Sequence, residues 1–167
     1  MIRSLLLLVA YLATSAMAFS KASFYDLSAT RSDGSIQSME DCKGKVVYAT
    51  NVASRLTRRE YDQMKQLGER WGDDLMILAF PSMEFGGQEF SDDAEIQAFA
   101  EKQGFPGVLL KLGNVLGSDA PKVWQHLKTE TGADDPDWNF QGKFLVDKEG
   151  TVSVPGDDLE SDIAALM

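Results

Sequence analysis

Lys43-Gly44-Lys45-Val46-Val47-Tyr48-Ala49-Thr50-Asn51-Val52-Ala53-Ser54 is the stretch that decides the fold. Val46 to Ala49 is an unbroken apolar run, so Lys45 to Asn51 reads as a strand covered on both faces. Thr57 to Trp71 follows as a helix, because Met64, Leu67 and Trp71 fall at i, i+3 and i+7 with charged residues between them. Leu75 to Phe80 is a second continuous apolar run, again a buried central strand, and Pro81 ends it.

Working outward, Phe24 to Leu27 and Gly34 to Gln37 predict a small hairpin around Ser32-Asp33-Gly34. Ser91-Asp92-Asp93 caps a helix that runs through Gln103, with Glu95 near the favourable end of the dipole and Ile96, Phe99 and Ala100 on the buried face. Phe105-Pro106 opens a loop before a strand at Val108 to Leu112. Asp119 to Thr129 is a third helix with Val123 and Leu127 inward. Lys143 to Val146 and Thr151 to Val154 form a hairpin across Asp147-Lys148-Glu149-Gly150, and Leu159 to Met167 closes the chain as a short helix. This order predicts an α/β domain with a central mixed sheet and helices on both faces, in the manner of a thioredoxin-like fold with an insertion.

The chain of 167 residues suits one domain, and 44% apolar with 25% charged residues is the mix of a folded globular protein. A net charge of −10 opposes binding to nucleic acid or to an anionic membrane face. Cys42 is the single cysteine, which excludes an internal disulfide, a CxxC pair and a Cys-rich zinc site, and His126 is the single histidine, which leaves almost no material for a His-based metal site or a Ser-His-Asp triad. Residues 1–18 read as a signal peptide. Arg3 is the charged start, Leu5 to Ala13 the apolar stretch, and Ala16-Met17-Ala18 the cleavage site. Cleavage leaves a domain at 19–167 with a net charge of −11 in a secreted or lumenal compartment. Ala18-Phe19 also admits a plastid signal, for which the chain leaves little room. No later stretch is apolar enough to insert stably in a membrane.

Three segments carry chemistry. They are Lys43 to Val47 leading into Asn51-Val52-Ala53-Ser54, then Phe80-Pro81-Ser82-Met83-Glu84-Phe85-Gly86-Gly87-Gln88-Glu89, then Trp138-Asn139-Phe140 followed by Lys143 to Asp147. In this order and at these spacings they resemble the glutathione peroxidase family from about Phe24 to Val152. The resemblance implies thiol-dependent reduction of H2O2 and of organic or lipid hydroperoxides. A Cys or Sec at a helix N-terminus is the nucleophile, its anion favoured by unpaired N–H groups and by neutral Gln, Trp and Asn donors. It also implies a role in antioxidant defence. Glutathione or another small thiol is co-substrate, and no metal or organic cofactor is needed.

The chain departs from the family at the centre. Asn51-Val52-Ala53-Ser54-Arg55-Leu56-Thr57 lacks both the nucleophile and the Gly after it, which belong between Arg55 and Leu56. Such a gap is what a skipped selenocysteine codon leaves, so the native protein is expected to be a selenoprotein and the chain as written inactive. Glu84 stands where the family's Gln is expected. Trp138 and Asn139 match unchanged and, with Glu84, are the expected catalytic set. Arg58 and Arg59 are candidates for holding the carboxylates of glutathione, with a solvated helix start as the bland alternative. Ser82 replaces a frequent Cys, and no resolving Cys precedes Lys111, which points away from a two-cysteine thioredoxin cycle. Cys42 reads as an ordinary thiol, His126 as a surface or half-buried helix residue, and Asp134, Asp135 and Asp137 as a solvated loop. The short segment Glu130 to Asp137 resembles compact monomeric members of the phospholipid-hydroperoxide type. The rival reading is a non-catalytic secreted protein that keeps the fold to bind a partner.

Overall fold

The computed structural model describes residues 22–56 and 58–167. The leader reading for residues 1–18 and the domain start at Phe19 lie outside them, as does Thr57. A two-stranded antiparallel hairpin, β1 (Ser28–Thr30) with β2 (Ile36–Ser38), precedes a five-stranded sheet. That sheet contains β3 (Val46–Val52), β4 (Leu75–Pro81), β5 (Val108–Leu109), β6 (Lys143–Val146) and β7 (Val152–Ser153), in the order β5-β4-β3-β6-β7. β3, β4 and β5 run parallel, while β6 and β7 are antiparallel, so the sheet is mixed as expected. The helices are α1 (Arg59–Trp71), α2 (Asp93–Gln103), α3 (Lys122–Thr131) and α4 (Leu159–Leu166).

Side chains of a strand alternate between faces, and β3 uses both. Val46, Tyr48 and Val52 pack with Tyr61, Met64 and Leu67 of α1, Ile96 and Ala100 of α2, and Leu159 and Ile163 of α4. Val47 and Ala49 pack on the opposite face with Val123, Trp124 and Leu127 of α3 and with Phe24 and Met39 from the N-terminal segment. Every residue of β3 is buried, which is why its sequence shows no polar alternation.

Several boundaries differ from expectation for identifiable reasons. Phe24–Asp26 is a 3-10 turn under a Ser23–Asp26 capping box, so the hairpin's first strand starts at Ser28. β5 stops at Leu109, and the chain beyond it serves other partners: Lys111 N donates to Thr30 O and Leu112 N to the Asp93 carboxylate. α3 begins at Lys122 rather than Asp119, because Pro121, with ψ of 147°, holds the preceding turn extended. Phe99 and Trp71 are only half-buried.

Candidate active site

The site forms where β3 and β4 end, at the C-terminal edge of the parallel strands, where ligand sites of such sheets gather. Asn51, second from the end of β3, is fully buried and has no apolar role. Its Nδ2 donates to Trp138 O (3.0 Å), its Oδ1 accepts from Gly142 N (2.9 Å), and its main-chain O accepts from Phe140 N (2.9 Å). One side chain and its own backbone therefore bracket the turn Trp138–Gly142. Phe140 sits at φ 62°, the single non-glycine residue with positive φ among the described residues. Such a conformation costs about 1–3 kcal/mol and persists where the surroundings fix it; here the Asn51 bracket does so. Gly142 is required because a Cβ there would lie 2.7 Å from the Trp124 ring.

The bracket aims two side chains. Asn139 is 4% exposed, and its Nδ2 donates to Phe85 O (3.2 Å) and to Gln88 Oε1 (3.0 Å). Trp138 is 41% exposed and meets the edge of Phe85, ring centroids 6.3 Å apart. Its indole lies over Gly86, where a Cβ would stand 3.2 Å from the ring. Gly86 and Gly87 both take positive φ, +65° and +61°, which reverses the chain between Glu84 and Gln88.

The structure occupies the Glu84 carboxylate with other partners: it accepts from Val115 N (2.6 Å), Leu116 N (3.1 Å) and Ser82 Oγ (3.0 Å). Glu84 ties two loops together, and Ser82 is its partner. Gln88 is the side chain that reaches Asn139, and sequence reasoning passed over it. The Gly86-Gly87 pair was the available signal, since two glycines in a row reposition whatever follows them.

The junction after β3 completes the site. Ser54 N donates to Glu89 Oε1 (3.0 Å) and Arg55 N to Gln88 O (2.9 Å). The Arg55 guanidinium stacks over Phe90, 4.5 Å from its centroid. Arg58 and Arg59 are exposed at the start of α1, on the far side of Leu56. Trp138, Asn139 and Gln88 thus converge, Arg55 joins them through Gln88, and the Glu84 carboxylate is bound to Val115 N and Leu116 N.

Cys42 is not part of this arrangement. It is fully buried beside Met39 in the α3-facing core, and burial, reinforced by Asp41, pushes its thiol up to about 11. A thiolate is the reactive form, so Cys42 is an inert core residue. His126 is half-buried, packed near Phe24 and 3.8 Å from the Glu130 carboxylate. Asp135 pairs with Lys128 and accepts from Gly117 N, which, in that order, hold its carboxyl below its ordinary value. Among the described residues no group of three or more His, Cys, Asp or Glu is arranged to hold a metal ion, and no helix is long and apolar enough to cross a membrane.

Comparison with known proteins decides the family. The glutathione peroxidase family model matches residues 24–128. This chain belongs to the glutathione peroxidase family. It is 41% identical over 140 residues to the mitochondrial glutathione peroxidase 1 of Chlamydomonas reinhardtii, covering 80% of this chain and 69% of that one. It is 39% identical over 142 residues to a probable phospholipid hydroperoxide glutathione peroxidase of Citrus sinensis, covering 80% and 83%. The crystal structure of Trgpx in apo form superposes with a TM-score of 0.64 at 26% identity, covering 88% of this chain and 94% of that one. The family is one of thiol-dependent peroxidases, and the fold is thioredoxin-like. The matched stretch contains the junction and the Gln88 loop and ends before Trp138 and Asn139; the Asn51 bracket and the hydrogen bonds from Asn139 to Phe85 O and Gln88 join that turn to it.

Proposed function

We propose that this site reduces H2O2 and organic or lipid hydroperoxides with glutathione or another small thiol, using a Cys or Sec that stands, followed by Gly, between Arg55 and Leu56 in the native protein. The observation that carries the reading is the double role of Gln88. Its main-chain O holds Arg55 at the edge of the gap, and its side chain meets Asn139. A nucleophile inserted after Arg55 would enter a neighbourhood lined by neutral donors, Gln88, Trp138 and Asn139. Such donors stabilise a thiolate or selenolate and lower its pKa without neutralising it.

The anion attacks one peroxide oxygen as the O–O bond breaks. The other oxygen leaves with a proton as water or alcohol, and the nucleophile becomes a sulfenic or selenenic acid. One thiol condenses with that acid, releasing water, and a second thiol releases the disulfide and restores the nucleophile. The three-carbon stems of Arg58 and Arg59 put two guanidinium cations at the rim, suited to the carboxylates of glutathione. This chemistry calls for no metal or organic cofactor, and the protein acts as a monomer. The leader reading assigns it to the secretory route; the mitochondrial relative makes an organellar address the competing outcome, which Edman sequencing of the native N-terminus separates.

The deciding experiment compares the chain as written with one carrying Cys-Gly between Arg55 and Leu56. The insertion is expected to raise glutathione-dependent hydroperoxide turnover from background by about a thousandfold or more, with genomic and transcript sequence across the same codons showing TGA or a Cys codon. A transcript that joins Arg55 directly to Leu56, with no gain from the insertion, would leave the non-catalytic scaffold as the function.

A further inference from the structure

Glu89 is the one carboxylate that the core swallows. It is 1% exposed, and the functional reading above does not use it. Its Oε1 accepts from two main-chain donors, Ser54 N (3.0 Å) and Phe90 N (2.8 Å). Its Oε2 is buried without a hydrogen-bond partner, and so are the Ser54 and Tyr61 hydroxyls. The Ser54 hydroxyl is nevertheless close enough to both acids to draw their pKa values down from where burial alone would put them. Three buried oxygens in one place, none with a completed hydrogen bond, are costly if one belongs to an ionised carboxylate. A single proton resolves most of that cost. A carboxylic acid has an O–H to donate to Ser54 Oγ and retains Oε1 as acceptor for both N–H groups.

The charged and titratable groups that bear on Glu89 come from two elements. Tyr61 on α1 is held neutral, chiefly by burial. Arg55, at the junction, favours the ionised form, but its guanidinium rests over Phe90 at the surface, and its pull is the weakest of the influences on Glu89. Burial, the strongest, raises the carboxyl above its ordinary value of 4.5.

We propose that Glu89 is a positioning residue of the peroxidase site, acting as a neutral acid that hydrogen-bonds Ser54 through both of its oxygens and so fixes the strand-to-helix junction against Gln88. Its reach into catalysis is indirect. Ser54 and Arg55 are held by consecutive residues, Glu89 and Gln88, and Gln88 in turn meets Asn139. Loosening Ser54 therefore displaces the residue preceding the nucleophile relative to its donors. The role in turnover rests on the function proposed above; the role in holding the junction does not.

Two measurements separate these. In the chain as written, the stability of Glu89→Gln relative to the parent is followed by urea denaturation from about pH 5 to about pH 8. Because burial raises the folded-state pKa, the unfolded chain loses this proton first, so the parent loses stability as pH rises above 4.5. Gln has no proton to lose, and its advantage is expected to grow with pH. An advantage that stays constant or shrinks overturns the proposal. In the chain with Cys-Gly restored, Glu89→Ala is expected to lower kcat about a hundredfold, as misplacement by an ångström does, while Glu89→Gln rescues it. The ratio of Glu89→Gln to parent activity should rise with pH, a trend that a purely structural side chain would not produce. Equal losses in both variants overturn the proposal. A restored chain that shows no activity, together with a growing stability advantage, sinks the peroxidase reading and leaves the neutral anchor standing.

Discussion

The N-termini of α1 and α2 follow parallel strands of the same sheet, yet they are finished differently. At α2, Asp92 takes the extended backbone of a cap, and its Oδ1 accepts from Ala94 N (2.8 Å) and Glu95 N (3.3 Å). At α1, the capping position is Arg58, already helical in conformation, whose side chain makes no capping hydrogen bond and places a cation at the positive end of the dipole. A helix start left this way gives up about 1 kcal/mol that an Asp, Ser or Thr would supply. The closed end serves the fold, and the start of α1 leaves a cation rather than a capping side chain at its capping position. On the function proposed above, that is the end at which an anionic nucleophile would sit.

That comparison can be broken at three points. The largest effect is expected where the open end meets its donor turn. Asn51→Ala strips Trp138 O and Gly142 N of buried partners and should cost about 3 kcal/mol or more in chemical denaturation. It should also abolish turnover in the restored chain; wild-type stability would show that the bracket is not what holds the turn. Next comes the closed end, where Asp92→Ala should cost about 1 kcal/mol and leave peroxidase activity intact. Equal loss of activity there would mean that the two ends are not separate in function. The smallest effect belongs to Arg58→Asp, which replaces a cation with an anion at the positive end of α1. It should gain about 0.5 kcal/mol in the chain as written yet lower turnover in the restored chain, since a carboxylate there competes with the anion the helix start is meant to favour. Greater stability with undiminished turnover would sever the link between the uncapped helix and the chemistry.

Most of the architecture could be read in advance, because it rests on local patterns. β3 and β4 are buried on both faces, so their apolar runs are unbroken, and Met64 and Leu67 point inward as their spacing requires. What escaped was set at long range or by a single backbone angle. β5 is short because hydrogen bonds from residues beyond it go to Thr30 and Asp93, far away in sequence. Trp138 and Asn139 were found by their motif, but the bracket that aims them comes from Asn51, 87 residues from Trp138. Gln88 drew no attention because a linear motif does not show that consecutive positive-φ glycines fold the loop back. Glu89 followed directly in the same motif, and its importance came into view only with its burial.

Neither of the two core clusters contains Ser54 or Arg55, and Arg55 is exposed. The Asn51 bracket and the Gln88–Asn139 bond stand complete without a nucleophile. A chaperone or protease recognises exposed apolar surface and unfolded segments; it has no means of sensing a lost reaction. On the function proposed above, a chain with Cys-Gly after Arg55 and the chain as written would therefore pass the same inspection, although only one of them turns over peroxide.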